Sequence, residues 1–337
     1  MRRIKIAQIG MGHDHAWVVL DSVLKQTDLF EVVGFAVPES ERTEFAHVIE
    51  KYRGRLPLMG VEEILNYPGL DAVLIETEEE NLTRYALMAA QKGLHIHMDK
   101  PGGLEMAQFE QLVTTARANG CIFHMGYMYR YNPFVTEALE KVKSGALGKI
   151  YSVEAQMSCW HSKEKSQWLE QFPGGMLFFL GCHLIDLVLQ IQGIPQKIIP
   201  LSTCTGAKGV TSKDLGMAVF EYQNGVSFVK TCSSEYGGFN RRQLVICGTK
   251  GTIEMKPFEY LGENRVENGS ELYTDMREIY DNDWFAWGEK KTSAAYDRYE
   301  TMMASFAQMV RGEKENPWSY DYELQLYRVI CRACGME

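Results

Sequence analysis

Apolar residues in the first 126 positions fall in short runs that alternate with stretches of helical period. Residues 4–9 read as a buried strand, and Ala16, Val19, Leu20, Val23 and Leu24 then share one helix face. The rhythm returns with strand 31–37, helix 39–52, strand 72–76, helix 80–92, strand 94–98, helix 104–118 and strand 121–126. Strands separated by helices predict a doubly wound, parallel α/β sheet covered on both faces. After residue 127 the pattern changes to helix 132–143, strand 149–158, a long apolar helix over 176–192 and strands at 198–205, 216–222, 226–234, 241–247 and 252–255. Tight turns at Gln223-Asn224-Gly225 and Lys250-Gly251 join them. Clustered strands with short turns predict an α+β domain with an open, mainly antiparallel sheet. Residues 259–291 show no period and read as a long loop, followed by helices at 294–310 and 322–332. We therefore expect a nucleotide-type domain over 1–126, a second domain over 127–321, and a terminal helix in 322–337 packing back on the first.

Length agrees, since 337 residues exceed one ordinary core. The net charge of −9, with no Lys/Arg block, argues against nucleic acid or anionic membrane as partner. No apolar stretch is long enough to span a bilayer. Met1-Arg2-Arg3 begins like an export signal, but Lys5 and Gln8 interrupt the apolar run and Gly10 ends it, so a cytoplasmic location is expected. Eight scattered cysteines fit a reducing compartment, and the single Cys331/Cys334 pair reads as two positions on a helix rather than a zinc knuckle.

The chemistry begins at Gly10-Met11-Gly12-His13-Asp14-His15, between the first strand and the first helix. Glycines there let backbone N–H groups approach a pyrophosphate, and the helix N-terminus adds partial positive charge. The match to G-x-G-x-x-G is partial, because His15 stands at the third glycine. In a doubly wound sheet ligands bind beyond the carboxyl ends of the strands. Those ends carry 10–15, Val37-Pro38-Glu39, Glu76 to Glu80, Met98 to Pro101 and Gly126 to Arg130. His13 and His15 beside Glu78–Glu80 raise the idea of a divalent metal, with metal-assisted hydrolysis or lyase chemistry as a third reading. Alternating side chains need not converge, however, and no metal is assigned.

Four further segments set the family. They are Asp99-Lys100-Pro101, Gly126 through Pro133, Gly174-Gly175 through His183 and Asp186, and Val245 through Thr252. In this order and spacing the chain resembles the Gfo/Idh/MocA oxidoreductases over nearly its whole length. The resemblance implies a Rossmann domain followed by an α/β domain with an open sheet, NAD or NADP as cofactor, and a sugar, polyol or related substrate. It also implies a homodimer or homotetramer, and an open sheet face seldom stays bare.

Cofactor contacts are expected at Gly10, Met11, Gly12, His13, Asp14, Val37, Pro38, Thr77, Glu78, Asp99, Lys100 and Pro101. By resemblance, Lys100 lies between cofactor and substrate. His183 suits proton transfer, since imidazole titrates near working pH. Candidate substrate contacts are Tyr129, Arg130, Asn132, Trp160, Trp168 and His183. Arg130 offers either a fork for an anion or a structural ion pair, and Trp160 and Trp168 either a sugar platform or packing at the sheet edge. Three departures stand out. Phe179 occupies the usual aspartate position four residues before His183, Val37 replaces the residue that reads the adenosine ribose, and Thr77-Glu78-Glu79 stands where Thr-Pro-Asn is usual. Val37 leaves NAD against NADP open, with Glu39 or Arg42 able to take over. The leading expectation is an NAD(P)-dependent dehydrogenase, and the alternative is a catalytically impaired NAD(P)- or metabolite-binding protein.

Overall fold

The computed structural model describes residues 2–262, 267–283 and 285–336. Met1, Glu337 at the end of the expected terminal segment 322–337, and two parts of the expected loop, 263–266 and 284, lie outside them. The chain divides into two compact units, residues 2–128 with 299–327 and residues 129–298 with 328–336.

In the first unit the order is β1 (Ile4–Ile9), α1 (Ala16–Lys25), β2 (Phe30–Ala36), α2 (Ala46–Arg53), β3 (Leu58–Met59), α3 (Val61–Leu65), β4 (Ala72–Ile75), α4 (Leu82–Gln91), β5 (His95–Met98), α5 (Met106–Ala118) and β6 (Phe123–Met125). Its six strands are all parallel, in the order β3-β2-β1-β4-β5-β6. This is the Rossmann order, with the switch point between β1 and β4. Every residue of β4 is buried, as a strand covered on both faces requires. The expected helix 39–52 is corrected to a 3₁₀ turn at Glu39–Glu41 and a helix that starts only at Ala46. Glu41 turns inward there and is fully buried, which an amphipathic surface helix does not allow. Residues 299–327, which the sequence reading assigned largely to the second domain, cluster with this unit. Tyr327 stacks on Phe109 with ring centroids 4.4 Å apart, and Phe306 stacks on His124 at 5.2 Å.

The second unit contains α6 (Pro133–Lys143), β7 (Ile150–Gln156), α7 (Lys163–Trp168), α8 (Cys182–Gln192), β8 (Lys197–Pro200), β9 (Leu215–Tyr222), β10 (Gly225–Cys232), β11 (Gln243–Gly248), β12 (Gly251–Met255), β13 (Tyr260–Leu261), β14 (Asn268–Gly269), β15 (Glu271–Met276), α9 (Arg277–Tyr280) and β16 (Glu289–Thr292). An eight-stranded sheet runs β16-β15-β12-β11-β7-β10-β9-β8, antiparallel except for the parallel β7–β10 pair. Alternation is regular, with Ala218, Phe220, Leu244 and Ile246 buried on one face while Met217, Val219, Phe228 and Val245 are half-buried on the other.

Three expectations are corrected. Residues 259–291 are not a plain loop, because β15 and β16 extend the sheet and β13 and β14 pair separately. β16 is exposed along its length, so no burial alternation marked it in the sequence. The strand expected at 198–205 ends at Pro200. The helix expected over 176–192 begins with a π-helical segment, Leu177–Gly181, before α8. That wider turn falls on Phe179 and just before His183, and such segments recur at functional sites. After the sheet come α10 (Arg298–Val310) and α11 (Tyr320–Ala333).

Candidate functional site

The glycine turn after β1 leaves no room for side chains at its two glycines. Gly10 has φ +98, and a Cβ there would lie 2.5 Å from the Thr77 backbone nitrogen. One on Gly12 would lie 2.8 Å from the Glu78 nitrogen and 2.9 Å from Glu41 Cδ. The turn is therefore built for close backbone approach. Its N–H groups converge on an anion already, since the Glu41 carboxylate accepts from Met11 N at 2.7 Å, from Glu78 N at 3.0 Å and from Gly12 N. Burial pushes this carboxyl up to about 7, against the opposing pull of those N–H groups. A carboxylate thus stands where the fingerprint places a pyrophosphate. The donor set fits a dinucleotide phosphate, provided Glu41 moves aside.

Beside the turn, a cavity of about 390 Å³ is lined by Val37, Arg42, Ala46, Ile49, Glu50, Arg53, Leu58, Met59 and Gly60. It lies past the ends of β2 and β3, where a Rossmann fold takes the adenosine half of its ligand. No acid lines its Val37 end. Arg42 donates to the Val37 carbonyl at 3.2 Å and pairs with exposed Glu39 at 2.7 Å, a contact worth little in solvent. Pro38 leads into the 3₁₀ turn.

At the ends of β4 and β5 lies a buried polar cluster. Asp99 accepts from Lys100 N at 2.7 Å and from His15 Nδ1 at 3.0 Å. Burial alone would raise the Asp99 carboxyl, but His13, His15 and Lys100 outweigh it and hold it well below the usual range. Glu76 shows the opposite balance, raised well above the usual range by burial and then by the Asp99 charge. His13 is lowered to about 3 and His97 to about 4, both chiefly by burial. His13 Nε2 donates to the Lys100 carbonyl at 3.1 Å, and the Nδ1 atoms of His97 and His124 share a proton at 2.8 Å. Lys100 is 1% exposed, and its peptide bond to Pro101 is cis. Thr77 is buried, with its hydroxyl donating to the Glu78 carbonyl. Asp14 is exposed on the turn. The acidic run splits, with Glu79 buried against His13 at 3.7 Å and Glu80 exposed.

In the second unit, His183 is buried at the start of α8, edge-on to Tyr129 with centroids 5.0 Å apart. Phe179 packs among Trp168, Phe172 and His161. Tyr129 donates to Glu259 at 2.9 Å and accepts from Arg242 and Arg298. Arg130 grips Asp186 through two bonds of 2.9 and 2.8 Å, both partners buried. Asn132 caps α6 through Phe134 N and Val135 N and donates to Ser270 and Tyr296. Structural bonds thus engage Arg130 and Asn132. Trp160 is half exposed, stacked on Tyr236 and under Lys208, whereas Trp168 packs on Phe172 and Phe179.

Sequence reasoning missed Glu41 as an internal ligand and His97, His124 and Phe306 as lining of the polar cluster. Glu41 looked like an acid at a helix start. The two histidines carry a weak signal in hindsight, since both lie in strands buried on two faces, where a polar residue needs a partner.

A parallel 3-2-1-4-5-6 sheet with a glycine turn that binds an anion defines an NAD(P)-binding Rossmann protein. Family comparison makes this specific. Residues 4–127 match the oxidoreductase family with NAD-binding Rossmann fold, and residues 135–254 match the Gfo/Idh/MocA C-terminal domain. The chain belongs to the Gfo/Idh/MocA oxidoreductase family. Among curated proteins it is 25% identical over 265 residues to a trans-1,2-dihydrobenzene-1,2-diol dehydrogenase of Xenopus tropicalis, covering 77% of each chain. Among solved structures it is similar to a putative NADPH-dependent oxidoreductase from Desulfitobacterium hafniense, with TM-score 0.81, 17% identity and 99% and 95% of the two chains covered. A 3-ketoreductase from Actinomadura kijaniata in complex with NADP gives TM-score 0.76, 18% identity and coverages of 98% and 96%. At these identities the solved structures show a shared fold. Among the described residues no helix is long and apolar enough to cross a membrane.

Proposed function

We propose that this NAD(P)-binding oxidoreductase transfers a hydride between nicotinamide and a secondary alcohol or carbonyl of a sugar, polyol or related cyclic compound, and that it prefers NADP(H). The observation that carries the reading is the set of N–H groups converging on the Glu41 carboxylate, a stand-in for a phosphate at the glycine turn. The dehydrogenase relative, named for a ring diol, supports the substrate class. Bound at the turn, the dinucleotide supplies the hydride acceptor or donor. The N–H groups of Met11, Gly12 and Glu78 hold its phosphates, Gly10 allows the close approach, and Val37 and Pro38 flank its adenosine. Lys100, oriented through Asp99, stabilises the charge that develops on the substrate oxygen. His183 carries the hydroxyl proton. Trp160 and His183 are the substrate contacts we retain, while Tyr129, whose hydroxyl is bonded to Glu259, Arg242 and Arg298, packs edge-on against His183. Trp168, Arg130 and Asn132 we assign to the frame around them.

The preference rests on Arg42 and Arg53, which line the adenosine cavity and offer cations to a 2′-phosphate, while Glu50 of the same lining is paired with Arg53 at 2.8 Å and Val37 offers no acid to a ribose diol. Fluorescence titration is expected to give at least about tenfold tighter NADPH than NADH binding, about 1.4 kcal/mol. Arg42→Ala should erase that preference. Equal affinities in the wild type would reverse the assignment. Binding without turnover across a sugar and polyol panel would instead favour the impaired-binder reading, for which Phe179 at the aspartate position speaks.

Assembly as a homodimer or homotetramer through the half-buried sheet face of Met217, Val219, Phe228 and Val245 completes the proposal. Light scattering should report a multiple of 38.4 kDa. A Phe228→Asp, Val219→Asp double variant should reduce it to the monomer, and a monomeric wild type would refute this part. The eight free thiols fit a cytoplasmic setting.

A further inference from the structure

We infer that His13, His15, Asp99 and Glu76 form a binding site for one divalent transition-metal ion beneath the glycine turn of the first unit. Metal–nitrogen and metal–oxygen bonds of about 2.1 Å in a tetrahedron put ligand atoms about 3.4 Å apart. His13 Nδ1 lies 3.4 Å from Asp99 Oδ2 and 3.8 Å from Glu76 Oε2, and His15 Nδ1 lies 3.0 Å from Asp99 Oδ2. One atom from each of His13, His15 and Asp99 lies within 4.8 Å of the other two, and Glu76 borders this trio through His13. An ion would draw these atoms inward onto one point, with His15 Nδ1 giving up the proton it donates to Asp99.

The tautomer of His13 supports the same role. A carbonyl oxygen can only accept, so the contact to Lys100 O places the ring proton on Nε2 and leaves Nδ1 with its lone pair on the cluster side. That lone pair accepts from the His15 N–H at 3.2 Å, a bond that an ion would replace. An imidazole tied through its far nitrogen to a carbonyl is the usual outer arrangement of a metal-bound histidine. Glu76 adds a second, independent observation. Its side chain is wholly buried, its oxygens face His13 at 3.8 Å and His97 at 3.6 Å, and its hydrogen-bond partner is the other acid of the cluster, Asp99. Two buried acids in contact hold one proton between them, and a cation bridging Glu76 and Asp99 takes the place of that proton. His15 is 17% exposed at its side chain, which gives an ion a way in. Two imidazoles with two carboxylates suit Zn²⁺, Fe²⁺ or Mn²⁺ better than Mg²⁺ or Ca²⁺. No metal was assigned from the sequence because alternate turn residues were expected to diverge. The turn instead brings both rings to Asp99, with centroids 4.8 Å apart.

The test uses the full chain, stripped with a chelator and titrated with Zn²⁺ by calorimetry, with Co²⁺ as a spectroscopic probe. Wild type is expected to take up one equivalent, and bound Co²⁺ to show the intense visible bands of a four-coordinate site. His15→Ala and Glu76→Gln should each weaken Zn²⁺ binding by about 100-fold or more, with circular dichroism confirming the fold. Three results overturn the inference: no stoichiometric uptake by wild type, a Co²⁺ spectrum of the hydrated ion, or variants that bind Zn²⁺ as tightly as wild type. The first of these would leave a proton shared between Glu76 and Asp99 as the holder of the pair. Because no dinucleotide enters the assay, its outcome is independent of the oxidoreductase reading.

Discussion

Lys100→Met is expected to lower kcat by 10²–10⁴-fold on the best substrate of the panel while leaving NADPH binding within a few fold. The substitution keeps an unbranched chain one atom shorter and removes the cation. Lys100 lies almost wholly buried at the carboxyl end of β5, with its N–H on Asp99 and its carbonyl on His13, so its backbone position does not depend on the ammonium. A charge held in such a place is desolvated and acts on a developing alkoxide more strongly than one in water. The same ammonium favours the ionised forms of Glu76 and Asp99, so the variant should also melt lower. Parallel measurement of kcat, Kd for NADPH and melting temperature separates these effects. A kcat within tenfold of wild type would remove Lys100 from the reaction. His183→Asn should cost less, because Phe179 stands at the position four residues earlier where a carboxylate would share the proton transfer.

Glu41→Ala is expected to tighten NADH binding by about 10- to 100-fold at pH 6. A dinucleotide must displace a carboxyl held by three backbone N–H groups, and losing that competitor returns about 1.4–3 kcal/mol. The sign of the pH dependence follows from the two positions of Glu41. Held in the turn, its carboxyl titrates at about 7, and released to water it returns toward 4.5. Between these values the closed form keeps a proton that the open form gives up. Closure is therefore favoured at low pH and fades as pH rises through about 7. NADH affinity of the wild type should climb from pH 5 to 7 and level off above, whereas Glu41→Ala should stay flat. NADH is the better probe here because it lacks the titrating 2′-phosphate. A variant with unchanged affinity and an unchanged slope would show that Glu41 leaves the turn without cost.

Much of the first unit was legible because its signals are local. Gly10 and Gly12 between an apolar run and an amphipathic helix required the strand–turn–helix, and alternating strands and helices required the parallel sheet. The antiparallel sheet of the second unit followed in the same way from turns such as Asn224-Gly225. β16 was missed because an exposed edge strand carries no burial alternation, and β15, whose alternation is confined to six residues, was lost within the aperiodic stretch around it. The π-helical segment at Leu177–Gly181 was missed because its residues keep an apolar pattern compatible with an α-helix.

The candidate site divides along the same line. The linear order of Gly10–His15, Asp99-Lys100-Pro101 and Gly174–His183 was sufficient to place the chain in its family, since those motifs depend on residue type and spacing alone. Partnership between side chains was not. Arg130 pairs with Asp186 over 56 positions and Glu41 reaches Met11 over 30. His15 meets Asp99 over 84. Charge on a sequence does not say whether it will face water or another buried group. That choice is made by the packing of distant strands, where the desolvation of each charge is weighed against the partner the fold brings to it.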